Sequence, residues 1–393
     1  MEQYLAFPEK ILLLLYYCIR LAFQLLPARR HASPQVEQSS EQPQAYTQLL
    51  DYLRGQTVKI YDVDNVYSGW PAGINPHVER LRLVADEKLE KLISNKKRLE
   101  KLKSADFALS AAMWWPRASF DDLVLALSIV IWLFTWDDDI EEKGGSVYDN
   151  FQAAQIRREE TLQYVTYSLG FKVPESYIEP TNALVLDFRY IGDSLCKAYS
   201  VEQRQRFLNN MKVYIQGSRV EQELRISGRV PTVEEYWDYR MRSSAVDVTS
   251  SMTEFSIKGN LPQYIFEDAN FKSIWRETNV IISASNDMLS IKKEFANGQI
   301  DNLVSLLSFN ENIRAQDAMD KADTMVRSAK ARFENARKSL ETRYSNDTVV
   351  GRQVHDFIEG CKYNITGNHN WSLISTRYGL AKARKGNSLV FTF

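Results

Sequence analysis

Five carboxylates crowd into six positions of the chain: Asp137, Asp138, Asp139, Glu141 and Glu142 follow an apolar run over 123–136 and precede Gly144 and Gly145. Ser119, Asp121 and Asp122 read as the start of that helix, because a capping hydroxyl and early acids suit its positive end. The later acids then fall at its negative end, where each opposes the macrodipole by about 0.3–1 kcal/mol and repels its neighbours. Something positive must compensate. Asp137 and Glu141 share a face as i and i+4, with Asp138 about 100° round. Hard oxygen ligands so arranged suit Mg²⁺, which takes one or two protein carboxylates together with waters and phosphate. The competing reading is a solvated acidic helix end that merely closes a loop.

A second oxygen-rich face lies further along, in "NDMLSIKKE". Asn286, Ser290 and Glu294 stand at i, i+4 and i+8, one stripe of a helix expected to end near Asn297 and Gly298. An amide, a hydroxyl and a carboxylate would hold Mg²⁺ with less charge than three acids, and Lys293 would reach a phosphate oxygen. An exposed polar helix face is the alternative. Upstream, Pro231, Thr232 and Glu235 form a capping-box start that places Tyr236 and Arg240 on one face. The small residues from Ser243 to Ser251 then allow either a kink or tight helix packing.

"WDDDIEE" with "NDMLSIKKE" resembles the aspartate-rich and Asn-Ser-Glu motifs of class I terpene cyclases, in the same order and at a fitting separation. "GNHNWSLISTRYGL" is similar to the family's carboxy-terminal segment with its Arg-Tyr pair, here Arg377 and Tyr378. "PTVEEYWDYRMRSS" resembles the helix carrying its diphosphate-sensing arginine, here Arg240. The likeness spans about residues 70–382 and is closest to the fungal microbial-type sesquiterpene cyclases. It implies an all-α, single-domain helical bundle around a central apolar cavity, and Mg²⁺-dependent ionisation and cyclisation of a prenyl diphosphate. It assigns Asp137, Asp138, Glu141, Asn286, Ser290 and Glu294 to the metal, three ions in all. Arg240, Lys293, Arg377 and Tyr378 would grip the diphosphate, with Phe134 and Trp371 lining the cavity. A second register, Asp138, Asp139 and Glu142, stays open; the first is preferred because Phe134 then falls one turn below it. Farnesyl diphosphate is the first expectation and geranylgeranyl diphosphate the second. The rivals are a chain-elongating prenyltransferase and, from another class, a non-catalytic membrane-associated helical protein.

The elements that must position these groups are long segments with helical periodicity, which dominate to about residue 382. With 49 basic and 50 acidic residues among 393, the net charge of -1 gives no reason to expect nucleic acid. Three scattered cysteines, Cys18, Cys196 and Cys361, suggest neither a disulfide framework nor a zinc site, so a reducing, cytoplasmic setting is the default. Residues 1–26 read as a hydrophobic helix and 27–66 as a polar linker, leaving 67–393 for the catalytic domain. The run over 11–26 is short for a membrane span and is interrupted by Arg20. A packed or interfacial helix with peripheral membrane contact is preferred there, with a membrane anchor as the alternative.

Overall fold

The computed structural model describes residues 44–393. The hydrophobic segment expected over 1–26, with Cys18, lies outside the described residues, as do residues 27–43 of the expected linker. The chain runs through α1 (Gln44–Leu53), strand β1 (Thr57–Tyr61), α2 (Val78–Leu92), α3 (Lys96–Ser104), α4 (Phe107–Trp114) and α5 (Phe120–Glu141). It continues with α6 (Phe151–Ser168), α7 (Ala183–Leu186), α8 (Phe188–Ala198), α9 (Val201–Ser227), α10 (Val233–Ser243) and α11 (Val246–Ser256). After α12 (Gln263–Glu267) come α13 (Ala269–Ala296), α14 (Leu303–Glu311), α15 (Ala315–Arg343) and α16 (Val350–Ile374), then the short strands β2 (Arg384–Lys385) and β3 (Ser388–Thr392). The all-α expectation holds, with one small sheet added. No helix among the described residues is long and apolar enough to cross a membrane.

Local sequence explains where the site-bearing helices start and stop. Ser119 caps α5, accepting from the Asp122 amide, and the apolar run that follows is buried nearly all round. Thr232 and Glu235 form the reciprocal capping box that opens α10. Helix α13 ends at Ala296, one residue before Asn297, and Gly298 follows with φ of 73°. The core between these helices is aromatic: Trp132, Trp136, Tyr164, Tyr214, Tyr236 and Trp371 are all fully buried.

Residues 44–66 are not the polar linker the sequence suggests. Leu49 and Leu53 of α1 are fully buried, and β1 pairs antiparallel with β3 from Thr57↔Thr392 to Tyr61↔Ser388. Val58 and Ile60 point inward opposite Phe391 and Leu389, all four buried. The strand gains its partner from the other end of the chain. Nothing in its own five residues could announce that.

Candidate active site

Helices α5, α9, α10, α11, α13 and α16 all contribute to a cavity of about 230 Å³. Its apolar wall includes Trp114, Val130, Leu133, Phe134, Ile282 and Trp371, and its mouth carries Asp137, Asp138, Glu141, Glu142, Asn286, Lys293 and Glu294. The acids of α5 and the stripe of α13 thus meet across one hollow.

The charge at the end of α5 is almost entirely compensated. Arg377 grips Asp138 through both guanidinium nitrogens, at 2.7 and 3.2 Å. Asp139 accepts from Arg157 (2.9 Å) and from the Ser146 amide and hydroxyl (3.0 and 2.8 Å), with Arg98 at 3.5 Å. Glu141 lies 3.4 Å from Arg225, and Glu142 lies 2.6 Å from Lys101 and 3.5 Å from Lys293. Arg98 and Arg225 also donate to the Thr135 and Ile140 carbonyls, meeting the negative end of the helix directly.

Asp137 is different. Its one hydrogen-bond partner among the described residues is the Tyr214 hydroxyl at 3.4 Å, and it has no cation in salt-bridge range. Burial raises its carboxyl pKa to about 7, with Glu221 and Asp138 pushing the same way. A half-buried carboxylate that lines the cavity without a cation is poised to receive one. Asp139 does not line the cavity and is fully engaged elsewhere. Asp137, Asp138, Glu141 and Glu142 thus face the cavity and Asp139 does not; Glu142 is already paired with Lys101 and Lys293.

On α13, Asn286 accepts from Arg240 (3.1 Å) and donates to the Tyr378 hydroxyl (2.9 Å), while Glu294 accepts from Asn302 (2.8 Å). Ser290 lies between them, buried and set back from the cavity lining, its hydroxyl without a partner. Arg377 and Tyr378, adjacent in sequence, thus reach opposite faces: one holds an acid of α5, the other the amide that starts the α13 stripe. The Arg377 guanidinium also sits 4.7 Å over the Phe134 ring. Trp371 donates its indole N–H to the Ala105 and Asp106 carbonyls, which fixes its ring beside Phe134 at 5.6 Å between centroids.

Of the two readings of the small-residue segment, a kink or tight packing, the structure shows a full break together with close packing of Gly217 on Ser243. Helix α10 stops at Ser243 and α11 starts at Val246, with Ala245 in the left-handed region at φ of 58°. Asn279 braces it, donating to the Met241 carbonyl and to Asp247 at 2.9 and 3.0 Å. Residues 243–246 face the cavity.

Several cavity groups escaped the sequence reading. Tyr214, Glu221 and Arg225 come from α9, and Asp301 from the loop after α13. Asp287 stands next to Asn286 but off its stripe, and accepts from Tyr236, from Arg240 (2.8 Å) and from the Leu303 amide (2.7 Å). It holds Arg240 in place. Its position beside Asn286 was the one available clue; Glu221 and Asp301 carry no local signal.

The donor set fits a hard cation. Every candidate ligand atom is oxygen, and two of them, Ser290 Oγ and Glu141 Oε1, are buried without a hydrogen-bond partner. Among the described residues no three His, Cys, Asp or Glu side chains converge as a ready-made metal site. The donors are divided between two faces, as suits ions completed by phosphate and water.

An aspartate-rich helix end facing a polar helical stripe over an apolar hollow defines the class I terpene cyclase architecture. The sequence profile described as terpene synthase family 2, C-terminal metal binding, matches residues 128–332. The sesquiterpene cyclase hepA of Aspergillus oryzae is 33% identical over 336 residues, covering 84% of this chain and 90% of that protein. The terpene cyclase braA of Annulohypoxylon truncatum is 26% identical, with 84% and 88% covered. The crystal structure of an α-eudesmol synthase superposes with a TM-score of 0.69 at 19% identity, covering 78% of this chain and 98% of that one. The chain belongs to the terpene synthase family.

Proposed function

We propose that this chain ionises and cyclises farnesyl diphosphate to a cyclic sesquiterpene, hydrocarbon or alcohol, releasing diphosphate with the help of Mg²⁺, three ions in all. The observation that carries the reading is the pair of oxygen-donor faces opposed over one cavity and bridged by Arg377 and Tyr378. The sesquiterpene cyclase that is 33% identical to this chain supports the fifteen-carbon substrate.

Bound Mg²⁺ would neutralise charge developing on the departing diphosphate. Asp137, Asp138 and Glu141 would hold ions from one side, and Asn286, Ser290 and Glu294 from the other. Asp138 and Asn286 now occupy Arg377 and Arg240. Were they to turn to cations, the Arg377 guanidinium would be released toward diphosphate oxygens, while Arg240, still held by Asp287, would keep its aim at the mouth; the fork geometry of both suits bidentate contact. Lys293 and Tyr378 add donors on the same side. Charge arriving at the mouth would compete for the pairs that bridge it, which would couple binding to exclusion of water. Below the mouth, the Phe134 and Trp371 rings would face the allylic cation without reacting with it.

The catalytic body on this reading begins near residue 44. The apolar run over 11–26 is proposed as a separate peripheral membrane contact. The test of function is to give the purified chain Mg²⁺ and ten-, fifteen- and twenty-carbon prenyl diphosphates, then identify the products by mass spectrometry. Cyclic fifteen-carbon products are expected. A longer diphosphate formed with isopentenyl diphosphate would make it a prenyltransferase instead, and no diphosphate release from any substrate would sink the reading.

A further inference from the structure

One corner of the mouth is built from a segment outside both metal-facing helices. The loop after α13 crosses this gap: the Gln299 side chain donates to the Glu141 carbonyl at the end of α5 (3.1 Å), and the Gln299 amide donates back to the Glu294 carbonyl (2.9 Å). Tyr46 of α1 stands on that loop. Its hydroxyl donates to the Gly298 carbonyl at 2.6 Å, its ring is buried, and it lines the cavity beside Arg225 and Asp301.

What holds Tyr46 is drawn from both ends of the described chain. Helix α1 packs on α14, and Gln56 just beyond it accepts from the Ala315 amide at 2.8 Å. Gly55 and Gln56 exchange backbone hydrogen bonds with Phe393, both at 3.1 Å. The Phe393 ring packs on Phe295, 5.2 Å between centroids, and Phe295 directly follows the stripe residue Glu294. Two anchors therefore fix the end of α13 from outside: Phe393 on its last turn and Tyr46 on its exit loop.

We infer that Tyr46 is a positioning residue of this site, tying the segment before the catalytic helices to the Gly298–Gln299 loop and so setting the spacing of the two oxygen-donor faces. Tyr46 acts on the substrate through that loop, by keeping Glu294 and Glu141 at the separation a metal-laden diphosphate needs. The kinetic consequence rests on the cyclase reading; the tie between Tyr46 and the loop does not.

The test is Tyr46→Phe in the full chain, which keeps the ring and removes the one hydrogen bond. In metal-free protein, backbone amides over 298–303 should exchange faster than in the unaltered chain, with the melting temperature nearly unchanged. With farnesyl diphosphate, KM and the Mg²⁺ concentration for half-maximal rate should each rise about 3- to 10-fold, the range expected for one lost hydrogen bond, while kcat changes less. The share of acyclic alcohol should grow as a looser mouth admits water. Gln299→Ala should do the same, and the double variant should add little, because both act through one loop. Unchanged exchange over 298–303 in Tyr46→Phe would overturn the tie, whether or not the chain turns over. Faster exchange with unaltered KM and Mg²⁺ dependence would overturn its role in spacing. A chain inactive before any substitution would count against the cyclase reading alone.

Discussion

Asp137 and Asp139 sit two residues apart on the same helix, and replacing them should have opposite effects on stability and activity. Asp139→Ala removes the acceptor shared by Arg157, Arg98 and both donors of Ser146. Leaving enclosed guanidiniums unpaired costs about 3–5 kcal/mol when both partners are buried, and about 2–4 kcal/mol after allowance for the solvent that reaches Arg98. The melting temperature should fall by several degrees, with turnover by the folded protein largely kept. Asp137→Asn keeps the shape and removes a charge that has no cationic partner. The acid's pKa is raised from 3.8 to about 7, so its neutral form suits the fold. That contribution is complete below about pH 4 and is lost as pH rises through 7, by about 4 kcal/mol at most. At pH 8 without metal, Asp137→Asn should therefore melt at or above the temperature of the unaltered chain, and the difference should shrink toward pH 5. With Mg²⁺ its diphosphate release should fall by about 100-fold or more, as expected for a lost group at the reacting charge. Thermal melts across pH, paired with diphosphate release below both melting points, read out both quantities. Equal losses of turnover in the two variants, or a destabilised Asp137→Asn at pH 8, would refute the assignment.

Three further outcomes are expected. Ser290→Ala deletes a buried hydroxyl that has no partner, so the melting temperature should hold or rise, while the Mg²⁺ needed for half-maximal rate increases by about 10-fold; a melt and a Mg²⁺ titration check both. Burial raises Asp247 to about 6, so stability is lost as pH rises from about 4 through 6, and Asp247→Asn should stabilise the fold by about 3 kcal/mol at most at pH 8 and not at all at pH 4, read from denaturant melts. A Cβ at Gly217 would meet the Ser243 amide nitrogen at 2.6 Å; Gly217→Ala must push the break between α10 and α11, lowering stability by about 1–3 kcal/mol and shifting the product mixture seen by mass spectrometry.

How much of this was readable beforehand follows from the range of each interaction. Helix geometry alone set Asn286, Ser290 and Glu294 on one stripe and Asp137 with Glu141 on one face, because those relations repeat every turn. The Ser119 cap, the Thr232–Glu235 capping box and the helix ends were local for the same reason. Choosing between Asp137 and Asp139 was not a local matter, since the deciding partners are Arg98 on α3 and Arg157 on α6. Arg377 was credited by resemblance, and its salt bridge to Asp138 crosses 239 positions of sequence. Glu221, Asp301 and Tyr46 were missed because each reaches the cavity through tertiary packing, with no spacing rule to mark it. The linker reading failed at residue 44 for the same reason: a polar segment with a five-residue strand looks unstructured until its distant partner is known.

The pairing of Thr57 with Thr392 joins positions 335 apart, and this imposes an order on assembly. As the chain emerges from a ribosome, the helical hairpins can collapse on neighbours already made, whereas strand β1 must wait until residues 388–392 have been made. Until then it presents bare backbone donors and acceptors to any other nascent chain. The cavity's greasy floor can thus mature early, while the clamp at its rim is fastened late.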